Sequence, residues 1–206
     1  INNAGIAITK PALDSDSDEW DQVIDTNLRG PWLVAQAFAK AWLENRNQAT
    51  HEIEADADQT QPAGVRRSES TNLGNEVGES TEGSGSSQTG ACIVNIASIL
   101  GQRIMPGVAS YTVSKAALLQ LTRQLAAEWA RYDIRVNALA PGYFETEMNT
   151  DYLKSTGGEA LRKRVPMRRF GNVDDLAAPL LLLCSPGGAY ITGATIDIDG
   201  GLSVMV

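Results

Sequence analysis

Three short apolar runs, residues 91–98, 134–139 and 194–199, each give out into small or polar residues, and segments of helical period separate them. Runs of this kind suit strands buried on both faces of a parallel sheet. Strand, helix, strand, helix, strand then implies right-handed crossovers with helices on both faces. The expected fold class is therefore α/β. Residues 110–132 place Leu118, Leu121, Leu125 and Trp129 on one stripe, which predicts a long helix, and residues 174–184 predict another. Nearer the start, Asp14, Ser15 and Asp16 offer N-caps. Trp20, Val23, Ile24 and Leu28 then recur at helical spacing, and the pattern runs to about Asn45 with Gly30 and Pro31 as an interruption.

One stretch does not fit the alternation. Residues 47–90 contain only Ile53, Val65, Leu73 and Val77 as large apolar side chains, no aromatic, and a low-complexity Gly/Ser run at 83–87. They also hold eight acids and two bases, a net of −6 out of the −8 of the whole chain. A segment with so little apolar surface cannot offset its ordering entropy, so its composition predicts a disordered acidic insertion. An acidic docking tail is the functional alternative. The rest of the chain is nearly balanced in charge, which speaks against the basic footprint of a nucleic-acid binder.

Residue counts exclude several chemistries. The sole histidine, His51, lies inside the acidic segment, which argues against His-rich metal sites and a Ser-His-Asp hydrolase. Cys92 and Cys184 sit far apart in apolar stretches, so neither a disulfide framework nor a Cys-type zinc site is expected. No apolar run approaches the roughly 18 to 20 residues that a helical membrane span needs. The chain opens at Ile1 without a basic leader, which predicts a cytoplasmic protein that is a piece of something longer.

In open parallel sheets, ligands bind beyond the carboxyl ends of the strands. That rule singles out Gly5, Ser98 and residues 141–146. Tyr111 and Lys115 stand four apart at the start of the long helix, on one face. They read either as a surface pair or as an activated phenol. Lowering a Tyr pKa from ~10 by ~3 units takes ~4 kcal/mol. One ammonium at ~4 Å with an effective dielectric of ~20 supplies about that much. Ser98 ends a strand 13 residues before Tyr111, where it makes a turn hydrogen bond or donates to a substrate oxygen. Asn27 sits mid-helix, where the helix opens to hold a water or the side chain faces solvent or packs.

The ordered set Asn3-Ala4-Gly5, Asn27, Ser98, Tyr111-x-x-x-Lys115, Pro141-Gly142-x-x-x-Thr146 and Asp197-x-Asp199-Gly200-Gly201 resembles the short-chain dehydrogenase/reductase family. Only the gap between Asn27 and Ser98 is abnormal, and the acidic insertion accounts for it. The resemblance implies a Rossmann-type doubly wound parallel sheet, here one partial domain over residues 1–206. It implies Tyr111 as general acid/base, Ser98 as donor to the substrate oxygen, and Lys115 as the group that tunes Tyr111 and grips the nicotinamide ribose. Asn27 resembles the residue that orders a relay water. Asn3, Ala4 and Gly5 resemble the turn by the adenosine ribose, and Pro141, Gly142, Phe144 and Thr146 the loop that fixes the carboxamide. Tyr111 and Lys115 thus count as both catalytic and cofactor-contacting. The implied reaction is hydride transfer between NAD or NADP and a carbonyl or secondary alcohol, without a metal. The implied assembly is a homodimer or homotetramer.

The resemblance stops at the front. The family's glycine-rich turn, which seats the pyrophosphate on a helix N-terminus, has no counterpart here, nor does the residue that selects NAD or NADP. The sequence resembles the family from the end of its fourth strand onward. The likeness extends to 3-oxoacyl-carrier-protein reductases and to sugar or polyol dehydrogenases alike. A polar lid is expected at 147–169, with Asp151, Lys154, Arg162, Lys163 and Arg164. The rival reading is a non-catalytic, truncated member without a cofactor site that acts at most in assembly.

Overall fold

The computed structural model describes residues 1–59, 90–145 and 150–205. The chain divides into two compact units, residues 1–40 with 89–206 and residues 41–88. The first unit is built on three parallel strands, β1 (Ala91–Ile96), β2 (Ile134–Pro141) and β3 (Thr195–Ile198), in the order β1-β2-β3. Ala91 stands opposite Ile134 and Ile96 opposite Leu139. Asn2 adds a parallel bridge on the other flank of β1: its N–H donates to Val94 O and its carbonyl accepts from Ile96 N, each at 2.9 Å. The α/β reading and its strand positions therefore hold.

Helix α1 (Ser17–Ile24) starts where the caps predict. The Asp16 carboxylate accepts from Glu19 N at 2.9 Å, and Glu19 reciprocates at the Asp16 N–H. The chain then widens into a π turn, Asp25–Arg29, before α2 (Gly30–Gln59). Pro31 lacks an N–H and would break a regular ladder; the wider turn just before it accommodates that loss. Helix α2 runs well past Asn45, so the expected disorder does not begin at residue 47. Between Pro31 and Pro62 the sequence has no proline or glycine, and Ala, Glu and Gln are good helix formers. The rest of the acidic segment, 60–89, lies outside the described residues.

Helix α3 (Ala109–Trp129) and helix α6 (Ala177–Cys184) cover opposite faces of the sheet, with the short helices α4 (Thr150–Leu153) and α5 (Thr156–Arg164) between them in sequence. On one face Leu118 and Leu119 pack on Ala97 and Ala138. On the other Leu183 packs on Val94 and Leu139. Neighbouring strand residues Ala138 and Leu139 thus serve opposite layers, as the pleat requires. This is the doubly wound arrangement.

Leu183 is fully buried. Leu183→Ala should lower stability by about 2 to 5 kcal/mol in urea titration, because the rigid strands opposite cannot collapse into the gap.

Candidate active site

The crevice lies beyond the carboxyl ends of β1 and β2. Ser98 follows β1 and opens a 3₁₀ turn, Ile99–Gly101, where its Oγ accepts from Leu100 N at 3.1 Å. That turn bond uses a lone pair and leaves the hydroxyl proton for another acceptor. Ser98 also lies near the half-buried phenol of Tyr111, close enough for its hydroxyl to favour the phenolate. The turn bond and a site role therefore coexist in one side chain.

Lys115 is 4 % exposed. Its Nζ donates to Ile96 O at 2.8 Å and lies 5.7 Å from the centroid of the Tyr111 ring. No carboxylate pairs with it among the described residues, and burial pulls its pKa down to about 8. Tyr111 moves the other way. Burial pushes its phenol above the usual value, and the Ser98 hydrogen bond only partly opposes this. The expected depression of Tyr111 by Lys115 is thus not what the fold itself provides. Lys115 spends one donor on a backbone carbonyl, and burial is the largest influence on the phenol.

Asn27 sits in the π turn and is fully buried. Its Oδ1 accepts from Ile6 N at 2.8 Å, and its Nδ2 donates to Ile6 O at 2.9 Å and to Ser114 Oγ at 3.0 Å. The helix does open at Asn27, and the opening lets the amide clamp the strand-end segment to α3. Both Nδ2 protons are committed to protein partners, so a relay water would have to use other atoms.

The same clamp positions the turn at 3–5. Asn2 is fixed upstream by Nδ2 donating to Asn95 Oδ1 at 2.8 Å, and Ile6 is fixed downstream by Asn27. Asn3, Ala4 and Gly5 are left exposed between the two anchors. A Cβ on Gly5 would stand 3.3 Å from Lys115 Nζ and 3.4 Å from Asn27 Oδ1. Glycine therefore keeps open a cradle directly over the buried ammonium, which has two N–H donors to spare.

The loop after β2 forms the neighbouring wall. Gly142 N donates to Ile198 O at 2.9 Å, and a Cβ there would meet Asp199 Cα at 2.8 Å, so only glycine fits between the strand ends. Pro141 closes β2, and Phe144 bridges to Gly171 with its ring against that residue. Thr146 lies outside the described residues. The fold thus gathers Gly5, Asn27, Ser98, Tyr111 and Lys115 into one contact chain, with Pro141, Gly142 and Phe144 alongside.

Other groups were not foreseen from sequence. Ser114 joins Asn27 to α3 and donates to Tyr111 O at 2.7 Å; its place inside Tyr111-x-x-x-Lys115 was the available signal. Thr9, Met105, Tyr143 and Leu161 line a cavity of about 590 Å³. Tyr143 Oη donates to Met105 Sδ at 3.3 Å across it. An adjoining cavity of about 470 Å³ shares Met105, Tyr143, Leu161 and Arg164 and adds Arg103, Lys163 and Arg168. Thr9, Arg103, Met105 and Tyr143 come from loops of no fixed period, so nothing in the pattern marks them, whereas Lys163 and Arg164 lie on α5 within the expected polar lid. The expected lid is partly ordered as α4 and α5, with Ser155 capping α5 through Gly158 N at 3.3 Å.

Comparison with known proteins agrees with this geometry. Residues 1–51 match the short chain dehydrogenase family, and residues 47–203 match the family described as enoyl-(acyl carrier protein) reductase. The 3-oxoacyl-[acyl-carrier-protein] reductase of Thermotoga maritima is 32% identical over 99% of this chain and 65% of its own length. Galactitol 2-dehydrogenase of Cereibacter sphaeroides is 34% identical over 99% of the chain and 65% of its own length. The solved gluconate 5-dehydrogenase of Burkholderia cenocepacia, in complex with NADP and tartrate, superimposes with a TM-score of 0.75 at 30% identity, covering 100% of this chain and 64% of that one. The chain thus spans just under two thirds of the length of these relatives. With the ordered motifs, the doubly wound sheet and these matches in agreement, the chain belongs to the short-chain dehydrogenase/reductase family.

Proposed function

We propose that the protein is an NAD(P)-dependent oxidoreductase that interconverts a carbonyl and a secondary alcohol. Tyr111 moves the proton, Ser98 holds the substrate oxygen, and Lys115 with the turn at Asn3, Ala4 and Gly5 holds the cofactor. The observation that carries this reading is the contact chain itself. A phenol lies beside Ser98, four residues before a buried ammonium that no carboxylate pairs among the described residues, under an opening kept by Gly5. A buried cation with spare donors suits ribose hydroxyls, so these residues fit a nicotinamide dinucleotide. When bound, that cofactor supplies or accepts the hydride. Pro141, Gly142, Phe144 and Thr146 are assigned to its nicotinamide end, and Asn27 to holding the Gly5 turn on α3. The gluconate relative binds NADP, and a 4-hydroxyisoleucine dehydrogenase of 28% identity binds NADH, so either dinucleotide is in keeping with the family.

The raised phenol has a direction. At neutral pH it is protonated, the state that donates a proton to an alkoxide formed in carbonyl reduction. The cavity chemistry suggests the substrate class. Arg103, Lys163, Arg164 and Arg168 line one space whose lining includes no carboxylate. A carbonyl compound with a remote anionic group fits there, in keeping with relatives named for gluconate and for acyl-carrier-protein substrates. Exposed Trp32, Leu33, Val34 and Phe38 on α2 support the homodimer or homotetramer reading. No helix among the described residues is long and apolar enough to cross a membrane, in keeping with a cytoplasmic location.

Three measurements test this reading. In a protein that also carries the family's glycine-rich turn, Tyr111→Phe should cut reductase turnover by at least ~100-fold while dinucleotide affinity by titration stays nearly constant. Near-normal turnover would overturn the role of Tyr111. Arg164→Ala should raise KM about tenfold for a carboxylated substrate, a loss of about 1.4 kcal/mol, and leave its neutral analogue unaffected. The third uses pH. The folded-state pKa of Lys115 lies below its ordinary 10.5, at about 8, so between these values the unfolded chain holds the extra proton. Stability from this group therefore rises with pH across that window. Relative to Lys115→Met, the wild type should gain on the order of 3 kcal/mol between pH 8 and 10.5 in denaturant titrations. A flat difference would mean that the ammonium is not desolvated.

A further inference from the structure

Cys92 and Cys184 lie far apart in sequence, and the fold brings the Cys92 thiol onto the residue that precedes Cys184. Cys92 is the second residue of β1, half-buried under α6, and its thiol donates to Leu183 O at 3.1 Å. Cys184, the residue next to that carbonyl, ends α6 and is exposed, close enough to Cys92 to act on its thiol. Arg135 Nη1 donates to the same Leu183 O at 2.7 Å, which brings a guanidinium beside the two sulfurs. The pair stands at the start of β1, whereas the crevice lies beyond its far end, about 20 Å along a six-residue strand. The proposed dehydrogenase chemistry makes no use of it.

We propose that Cys92 and Cys184 form a thiol–disulfide exchange site, with Cys184 attacking, Cys92 resolving, and a small-molecule disulfide such as oxidised glutathione as the oxidant. Exposure lets Cys184 meet the disulfide first. Its thiolate bonds to one sulfur of the small molecule, whose S–S bond breaks and releases one thiolate. Cys92 then gives its proton to solvent and attacks the Cys184 sulfur. The Cys92–Cys184 bond forms and the second small thiolate leaves. Two protein thiols are oxidised and one small disulfide is reduced to two thiols, so no other electron acceptor enters. Burial raises the Cys92 thiol and the nearby Arg135 opposes that rise, which fits a resolving group that ionises only when the mixed disulfide stands beside it. The product would fasten the end of α6 to the sheet.

The test is intact-mass spectrometry of the native protein after exposure to oxidised glutathione, with peptide mapping. The wild type should become lighter by two hydrogens, with a Cys92–Cys184 peptide, and should gain a melting shift to higher temperature. Cys92→Ser should stop at a glutathione adduct on Cys184, and Cys184→Ser should stay unmodified until urea unfolds it. A wild type that stops at the same stable adduct overturns the proposal, as does one that crosslinks between chains or closes the bridge only when unfolded. If Cys92→Ser does not fold, pulsed alkylation of the wild type decides instead. Both thiols should vanish together in the native state, and independent loss of Cys184 alone overturns the pairing.

Discussion

The site rests on a buried amide. Asn27 is fully buried, and its side chain ties the turn at Ile6 to Ser114 on α3. An unpaired amide in such a place would cost several kcal/mol, so each of these bonds is obligatory rather than decorative. Through them the opening at Gly5 and the Tyr111–Lys115 pair become parts of one rigid object. Two further asparagines repeat the device. Asn95 donates to Thr122 on α3 and accepts from Asn2, and Asn137 bonds Ile191 O and Ala194 N ahead of β3. The strand ends are therefore placed by side-chain amides from inside the sheet, and loop packing follows.

Desolvation governs the electrostatics of the crevice. Lys115 and Tyr111 are both driven toward their neutral forms, the lysine downward and the tyrosine upward. Neither shift comes mainly from the other partner. A dielectric estimate that sets a bare ammonium beside a phenol supplies enough energy on paper, but it omits the cost of stripping water from the phenolate. Burial decides the outcome for both groups.

Much of this was legible in the sequence because strong periodic signals fix it. The strands at 91, 134 and 195, the long helix with Tyr111 and Lys115, and the Asp16 cap follow from apolar runs, spacing and cap chemistry. The ordered motif set carries the family likeness in the sequence itself. What was not legible depends on three-dimensional meeting. Thr9, Met105 and Tyr143 carry no period, Ser114 is a polar residue on the buried side of α3, and the Cys92–Cys184 approach joins residues on different elements. The length of α2 was misjudged because apolar content reports burial, whereas helix formation at 47–59 needs only permissive residues.

The π turn has a wider consequence for how this segment can vary. Val23, Asn27, Pro31, Ala35 and Ala39 are all buried, at a strict spacing of four. A regular α-helix turns about 100° per residue, so a four-residue repeat drifts by about 40° per step and soon leaves the core. The wider turn at Asp25–Arg29 takes up part of that drift and keeps the inward stripe in phase. Helical phase is thus stored in the number of residues between Ile24 and Gly30 rather than in their identity. An insertion of one further residue there would rotate everything before it by about 100° about the helix axis, carrying Val23 and the capped start of α1 out of register with the sheet. The segment can exchange side chains freely on its outer face, but its length is as constrained as any core residue.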